Sequence, residues 1–280
     1  KKLRKLNLKK KIEIITDFFK NKKSFYIKKK FESFHIITAN NVFAHNPNLQ
    51  DFTAGVKNVL EEKGVFILEV SYLLTVLKKK TFDTIYHEHM SYHSLRPLVY
   101  FFKNFNLEIF DFDLIEAQGG SIRIYICHKN QRKINKKKID LQIKKEIHQG
   151  IFKKQTYDKF YEYILFQKRK LRIILDKLKL QNKIIIGYGA PAKLTTLSHV
   201  LDFNNKDFRI VIDDNSLKQN RYVPGTKFLI KNSKVLENFN KAEIIILAWN
   251  FFESIKKKCQ KINNNFSFIR PFPYPKKTNK

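Results

Sequence analysis

Cysteine is nearly absent from the sequence. Cys127 and Cys259 lie far apart, and neither belongs to a C-x-x-C pair. No cysteine zinc module is therefore encoded in these residues, and so low a count fits a reducing, cytoplasmic setting. No apolar run approaches the length of a membrane span, so no membrane partner is expected. No signal peptide is visible, and the first residue is Lys1 rather than Met, so the sequence reads as a fragment. The His-Glu-x-x-His spacing of zinc proteases and the Lys/Arg-Gly-Phe/Tyr signature of RNA-binding sheets are both missing. So is any repeat of fixed period.

Acidic residues are scarce too, with 25 Asp+Glu against 56 Lys+Arg and a net charge of +31. Such an excess suggests nucleic acid, but the lysines are spread over Lys9–Lys11, Lys28–Lys30, Lys78–Lys80, Lys136–Lys138 and Lys256–Lys258 rather than gathered in one stripe. Solvated faces explain them better, and no nucleic-acid partner is expected. The charge would still draw an anionic substrate such as a sugar diphosphate.

The 280 residues, 43% of them hydrophobic, suffice for two domains with their own cores. Short β-branched runs predict strands at Ile12–Thr16, Phe34–Ala39 and Val65–Val70. Helical spacing predicts helices over Leu49–Leu60 and Ser94–Phe105, the latter with Pro97 in its first turn. Leu107–Phe112 and Ile122–Cys127 read as two closing strands around Gly119-Gly120, an antiparallel edge on a parallel sheet. Residues 129–180 lack strand signals, and Tyr157, Tyr161, Ile164, Leu165, Leu171, Ile174 and Leu175 suggest an amphipathic helix. A new α/β unit opens with a strand at Ile184–Ile186, a turn at Gly187–Pro191 and a helix at Ala192–Val200. Further strands are expected at Arg209–Ile212 and Ile244–Leu247, and an irregular tail at Pro271–Lys280.

Three segments carry chemistry. Tyr86-His87-Glu88-His89, followed by Ser91, Tyr92 and His93, puts three imidazoles, a carboxylate and two phenols within eight positions. A His-Glu-His cluster can hold a metal, but acid–base work suits it better: histidine titrates near neutrality and a neighbouring carboxylate fixes its tautomer. Ala39-Asn40-Asn41 to His45-Asn46-Pro47 follows a buried strand, where open α/β sheets place ligands; a capped turn reads equally well. Gly187-Tyr188-Gly189-Ala190-Pro191-Ala192-Lys193 fits G-x-G-x-x-A, with Asp213-Asp214 ending the next strand. That turn would offer N–H groups and Lys193 to a phosphate, or its glycines would merely permit tight packing.

In their order these segments resemble the C-methyltransferases that act on nucleotide-linked keto deoxysugars. The resemblance is carried by ANNVFAHNPNLQDF, FDTIYHEHMSYHSL, GGSIRIY, GYGAPAK, DDNSLKQNRYVPGT and LAWNF, and runs from about Ile12 to Pro275. It implies an α/β fold in three parts. Residues 1–128 would be a partial class I methyltransferase (Rossmann-like) domain, 129–180 a helical connector, and 181–280 a second Rossmann-like domain. It also implies S-adenosylmethionine as methyl donor and a nucleotide-diphosphate sugar as substrate, methylated beside its ketone through an enolate. His89, Glu88, Tyr86 and His45 would surround the sugar. Asp17, Phe18, Ala39, Asn40 and Asn41 would meet the cofactor, and Gly187, Gly189, Lys193, Arg221 and Tyr222 the nucleotide sugar. The family's Gly-rich cofactor loop, the first two strands of its sheet and its structural zinc module have no counterpart here. Ile12–Thr16 is therefore expected to lack its strand neighbours, and the piece to be inactive alone. The alternatives are an NAD(P)-dependent oxidoreductase, argued from GYGAPAK and Asp213, and an inactive fragment or binding module.

Overall fold

A computed structural model describes residues 12–271 and 275–278. The chain forms two compact units that interleave along the sequence. Unit 1 comprises Lys1–Val70, His93–Ile115 and Ile122–Ile143; unit 2 comprises Ser71–Tyr92, Glu116–Ser121 and Lys144–Lys280.

In chain order, unit 1 begins with helix α1 (Asn21–Phe31), strand β1 (Phe34–Asn40), helix α2 (Leu49–Val59) and strand β2 (Leu60–Ser71). Helix α3 (Leu73–Lys79) follows in unit 2. Then come α4 (Leu95–Lys103), β3 (Leu107–Ile115), β4 (Ser121–His128) and α5 (Lys136–His148). The four strands form one sheet in the order β1-β2-β4-β3, with β1 parallel to β2. Its core is aromatic: Phe43, Phe52, Phe66 and Phe102 are buried, with Phe43 and Phe52 edge to face at 5.7 Å. Asn48 caps α2 by accepting from the Asp51 amide. The strand expected at Ile12–Thr16 is absent; those residues join no sheet, although Glu13 pairs with Lys30, and β1 is the edge of the sheet.

Unit 2 continues with α6 (Lys154–Leu180), β5 (Ile185–Tyr188), α7 (Leu194–Val200), β6 (Ile210–Ile212), β7 (Ile230–Lys231), β8 (Glu243–Ile246), α8 (Phe252–Ile262), β9 (Ser267–Arg270) and β10 (Lys276–Thr278). The sheet order is β10-β9-β8-β5-β6-β7. All pairs are parallel except β10 against β9. The tail expected to be irregular thus supplies an antiparallel edge strand. Both faces are covered, as a parallel sheet requires. Ile185, Val211, Ile245 and Ile269 face a core shared with α6 and α7. Ile186, Ile212, Ile244 and Phe268 face the layer built on α8.

Segment 71–92 belongs to unit 2 because its apolar residues are used there. Leu77 and Phe82 lie in the same core as Leu171, Leu175 and Leu194. Burying each contributes roughly 1.5–3 kcal/mol. Gly120, at φ 129°, lets its loop approach α3 so closely that a Cβ would meet the Thr75 methyl at 2.3 Å. Among the described residues, no helix is long and apolar enough to cross a membrane.

Candidate active site

The Tyr86–His89 stretch forms a turn closed by the His89 N–H donating to the Tyr86 carbonyl at 2.9 Å. It follows a short 3-10 turn, Phe82–Thr84, whose three residues are buried. The Thr84 carbonyl is the hub. It lies 2.8 Å from His89 Nδ1 and accepts from the Tyr92 hydroxyl at 3.2 Å. A carbonyl can only accept, so the neutral imidazole carries its proton on Nδ1 and its basic lone pair on Nε2. Tyr86 lies against His89, with ring centroids 4.7 Å apart, and its hydroxyl donates to Glu88 Oε2 at 3.2 Å. Burial, followed by the Glu88 carboxylate, pushes the Tyr86 phenol up to about 12. Burial also raises Tyr92. Tyr86 therefore stays a hydrogen-bond donor at neutral pH. Glu88 also lies 4.0 Å from His87 Nε2.

His87 and Glu88 line a cavity of about 490 Å³ together with Pro191, Lys218, Arg221 and Tyr222. It combines two cations, an aromatic ring and the His87–Glu88 part of the acid–base turn; Tyr86 and His89 are not among its lining residues. Gly187, Gly189 and Lys193, expected to meet the same ligand, have other partners. Gly187 sits inside β5, where a Cβ would meet Leu247 at 2.8 Å. Gly189, at φ 98°, lets the turn pass Ala248, whose Cβ would lie 2.5 Å from an added one. Its N–H donates to the Ile212 carbonyl at 2.7 Å, and the Ala190 N–H to Asp213 Oδ2 at 2.8 Å. The N–H groups that a pyrophosphate would need are thus spent inside the fold. The acid that would hold a ribose ties down the turn and is paired with Lys218. The helix expected from Ala192 starts at Leu194 and has seven residues.

Lys193 is 18% exposed and forms an ion pair with Asp83, whose side chain is fully buried. Trp249 Nε1 donates to the same carboxylate at 2.7 Å, and the Lys193 ammonium lies 4.9 Å from the centre of the Trp249 ring. Asp83, Thr84 and Trp249 escaped the sequence reading. Two of them stand beside the histidine-rich run, and a lone carboxylate in the Phe82-Asp83-Thr84 stretch was the available signal.

The remaining residues lie in unit 1. Asp17 accepts from the Phe18 N–H at 2.8 Å and pairs with Lys23 at 2.7 Å, contacts that hold its carboxyl below the usual range. Ala39 is buried and Asn40 exposed at the end of β1. Asn41 adopts φ 52° and binds Glu69 through its N–H and side-chain amide. His45 ends a 3-10 turn, Phe43–His45.

A model of the C-methyltransferase C-terminal domain matches residues 116–273. The chain belongs to the C-methyltransferase family. It is 29% identical to C-methyltransferase NovU of Streptomyces niveus over 235 residues, which are 84% of this chain and 56% of that protein. The chain thus spans little over half the length of this curated relative. For this family the fold is in keeping: mixed α/β, with a doubly wound parallel sheet in unit 2. Among the described residues, no group of three or more His, Cys, Asp and Glu is arranged to hold a metal ion.

Proposed function

We propose that the full-length protein transfers a methyl group from S-adenosylmethionine to the carbon beside the ketone of a nucleotide-linked keto deoxysugar. Family membership supports methyl transfer to carbon. The observation that carries the chemistry is the bond from His89 Nδ1 to the Thr84 carbonyl, which leaves a basic nitrogen at Nε2 next to a tyrosine that keeps its proton.

A carbon beside a ketone is acidic because its carbanion delocalises into an enolate. His89 Nε2 takes the proton from that carbon, and Glu88 favours the imidazolium that results. Tyr86, whose single phenolic proton must first turn from Glu88, donates a hydrogen bond to the oxygen as negative charge collects there. Bound S-adenosylmethionine supplies a methyl group on a sulfonium sulfur, an electrophile suited to a carbanion. The donor set of unit 1 fits that cofactor in kind. Phe18, 82% exposed, offers a flat face to adenine, and Asp17 an acceptor to hydroxyls once Lys23 gives way. The end of β1 at Ala39, Asn40 and Asn41 offers backbone to the methionine part. For the nucleotide sugar, Arg221 and Lys218 suit a diphosphate and Tyr222 a base. Gly187, Gly189 and Lys193 support that cavity through packing and through the Asp83 pair.

His89→Asn tests the assignment. Asn cannot take the proton, so methyl transfer to a dTDP-4-keto-6-deoxysugar should fall at least about 100-fold while sugar binding persists. Full turnover by this variant would refute the reading.

A further inference from the structure

Rossmann-type sheets bind ligands outside the carboxyl ends of the two strands that flank the switch in strand order. In unit 2 those strands are β5 and β8. Lys193 follows the first and Trp249 the second, and both converge on Asp83, a residue of the chain itself. Asp83 Oδ2 takes both partners, while Oδ1 is buried without a hydrogen-bond partner among the described residues. A buried carboxylate is costly unless compensated, so this arrangement carries more constraint than a surface ion pair.

The constraint is applied one residue before the hub carbonyl. Phe82 is inserted in the core and Asp83 is held by the ammonium and the indole. The Thr84 hydroxyl donates to the Thr81 carbonyl at 2.8 Å. Two consecutive inward side chains fix the rotation of the 3-10 turn, and the Ile85 N–H, which shares a planar peptide with the Thr84 carbonyl, donates to the Phe82 carbonyl at 2.9 Å and so fixes the direction of the Thr84 carbonyl. We propose that Asp83 is a positioning residue, clamped by Lys193 and Trp249, which aims the Thr84 carbonyl and thereby sets the tautomer and orientation of His89. In this assignment the GYGAPAK and LAWNF segments serve the reaction by holding the base in place. The kinetic part of the inference rests on His89 being that base; the geometric part does not.

The test uses the full-length protein and two readouts. One is the kcat of methyl transfer. The other is the ¹⁵N spectrum of histidine-labelled protein, which reports which nitrogen of neutral His89 carries the proton. Lys193→Met leaves the buried Asp83 carboxylate without its counter-cation, held by the Trp249 indole, and should lower kcat roughly 100-fold, the scale of a misplaced catalytic group. The Nδ1–H signal should give way to a mixture of tautomers. Adding Asp83→Asn removes the stranded charge and should recover about tenfold of the loss, a non-additivity expected of residues in contact. Trp249→Phe, which removes one donor and little volume, gives the milder version should Lys193→Met fail to fold. An unchanged Nδ1–H signal in the variants overturns the clamp, whatever happens to kcat. A shifted signal with wild-type kcat supports the clamp and overturns His89 as base. If the wild-type protein transfers no methyl group, the proposed function falls and the spectrum alone decides the clamp.

Discussion

At the scale of single residues, the site pairs an imidazole whose tautomer is set by a carbonyl with a phenol whose proton is held by its surroundings. Tyr86 is pushed up to about 12 by burial and by Glu88. The unfolded chain releases a phenolic proton near pH 10. The folded state therefore holds its proton longer, and the stability this group contributes is intact below about pH 10 and lost as pH rises toward 12. An absorbance titration should show one fewer late-titrating phenol in Tyr86→Phe than in the wild type. The same substitution removes a donor to the developing oxyanion, and kcat should drop about 100-fold. A variant with unaltered kcat would show that another group holds the oxygen. The residue types of this site were legible because they are crowded into eight positions. The partners that orient them were not. Thr84 acts through its carbonyl, which no side-chain pattern announces, and Lys193 meets Asp83 across 110 positions of chain with no periodicity to connect them.

Among the elements, α6 shows most clearly where reading by spacing succeeds and where it slips. Its existence followed from composition, but its buried face runs through Phe160, Gln167, Leu171, Leu175 and Leu178. Tyr157 and Tyr161, assigned to that face from the sequence, are exposed. The polar Gln167 in the stripe hid the true line, and two tyrosines beside it mimicked one. The buried face is locked by Asp207, which lies just before β6. Its side chain is fully buried, accepts from Arg172 Nη1 at 3.1 Å, and pairs also with Lys179. Burial pushes the Asp207 carboxyl up, but the bonds from Arg172, Lys179 and the Asn204 N–H outweigh it and leave it below the ordinary range. Asp207→Asn leaves Lys179 without this carboxylate and Arg172 with Asp176, both cations being partly exposed, and should destabilise unit 2 by about 2–3 kcal/mol. The fall in melting temperature at pH 7 should be on the order of 10 °C. Because the folded carboxyl is depressed, its contribution is present above about pH 4 and is lost as pH falls through the folded value. The gap between wild type and variant should therefore narrow in acid. A gap that stays constant from pH 7 to 3 would assign the loss to packing rather than charge.

For the whole molecule, the two units differ in how completely their sheets are enclosed. In unit 2 the sheet is covered on both faces, and its β10 edge is antiparallel. In unit 1 the parallel pair β1–β2 ends at β1, whose outer edge has no strand beside it among the described residues. Ile36 of β1 is 63% exposed. Next to it lies an apolar cavity of about 420 Å³ lined by residues such as Ile15, Phe19, Phe31 and Phe34. Parallel strands are rarely left open in this way, and an apolar edge is a template for pairing with another chain. The sequence did not announce this edge: Ile12–Thr16 was expected to be the strand left without neighbours, but those residues are not a strand, and β1 is the edge instead. The 280-residue chain should therefore self-associate at micromolar concentrations. Ile36→Lys places a charge on the open edge without touching the buried aromatic core, so light scattering should show a larger monomeric fraction at unchanged melting temperature. A wild-type chain that stays monomeric would show that β1 needs no neighbour.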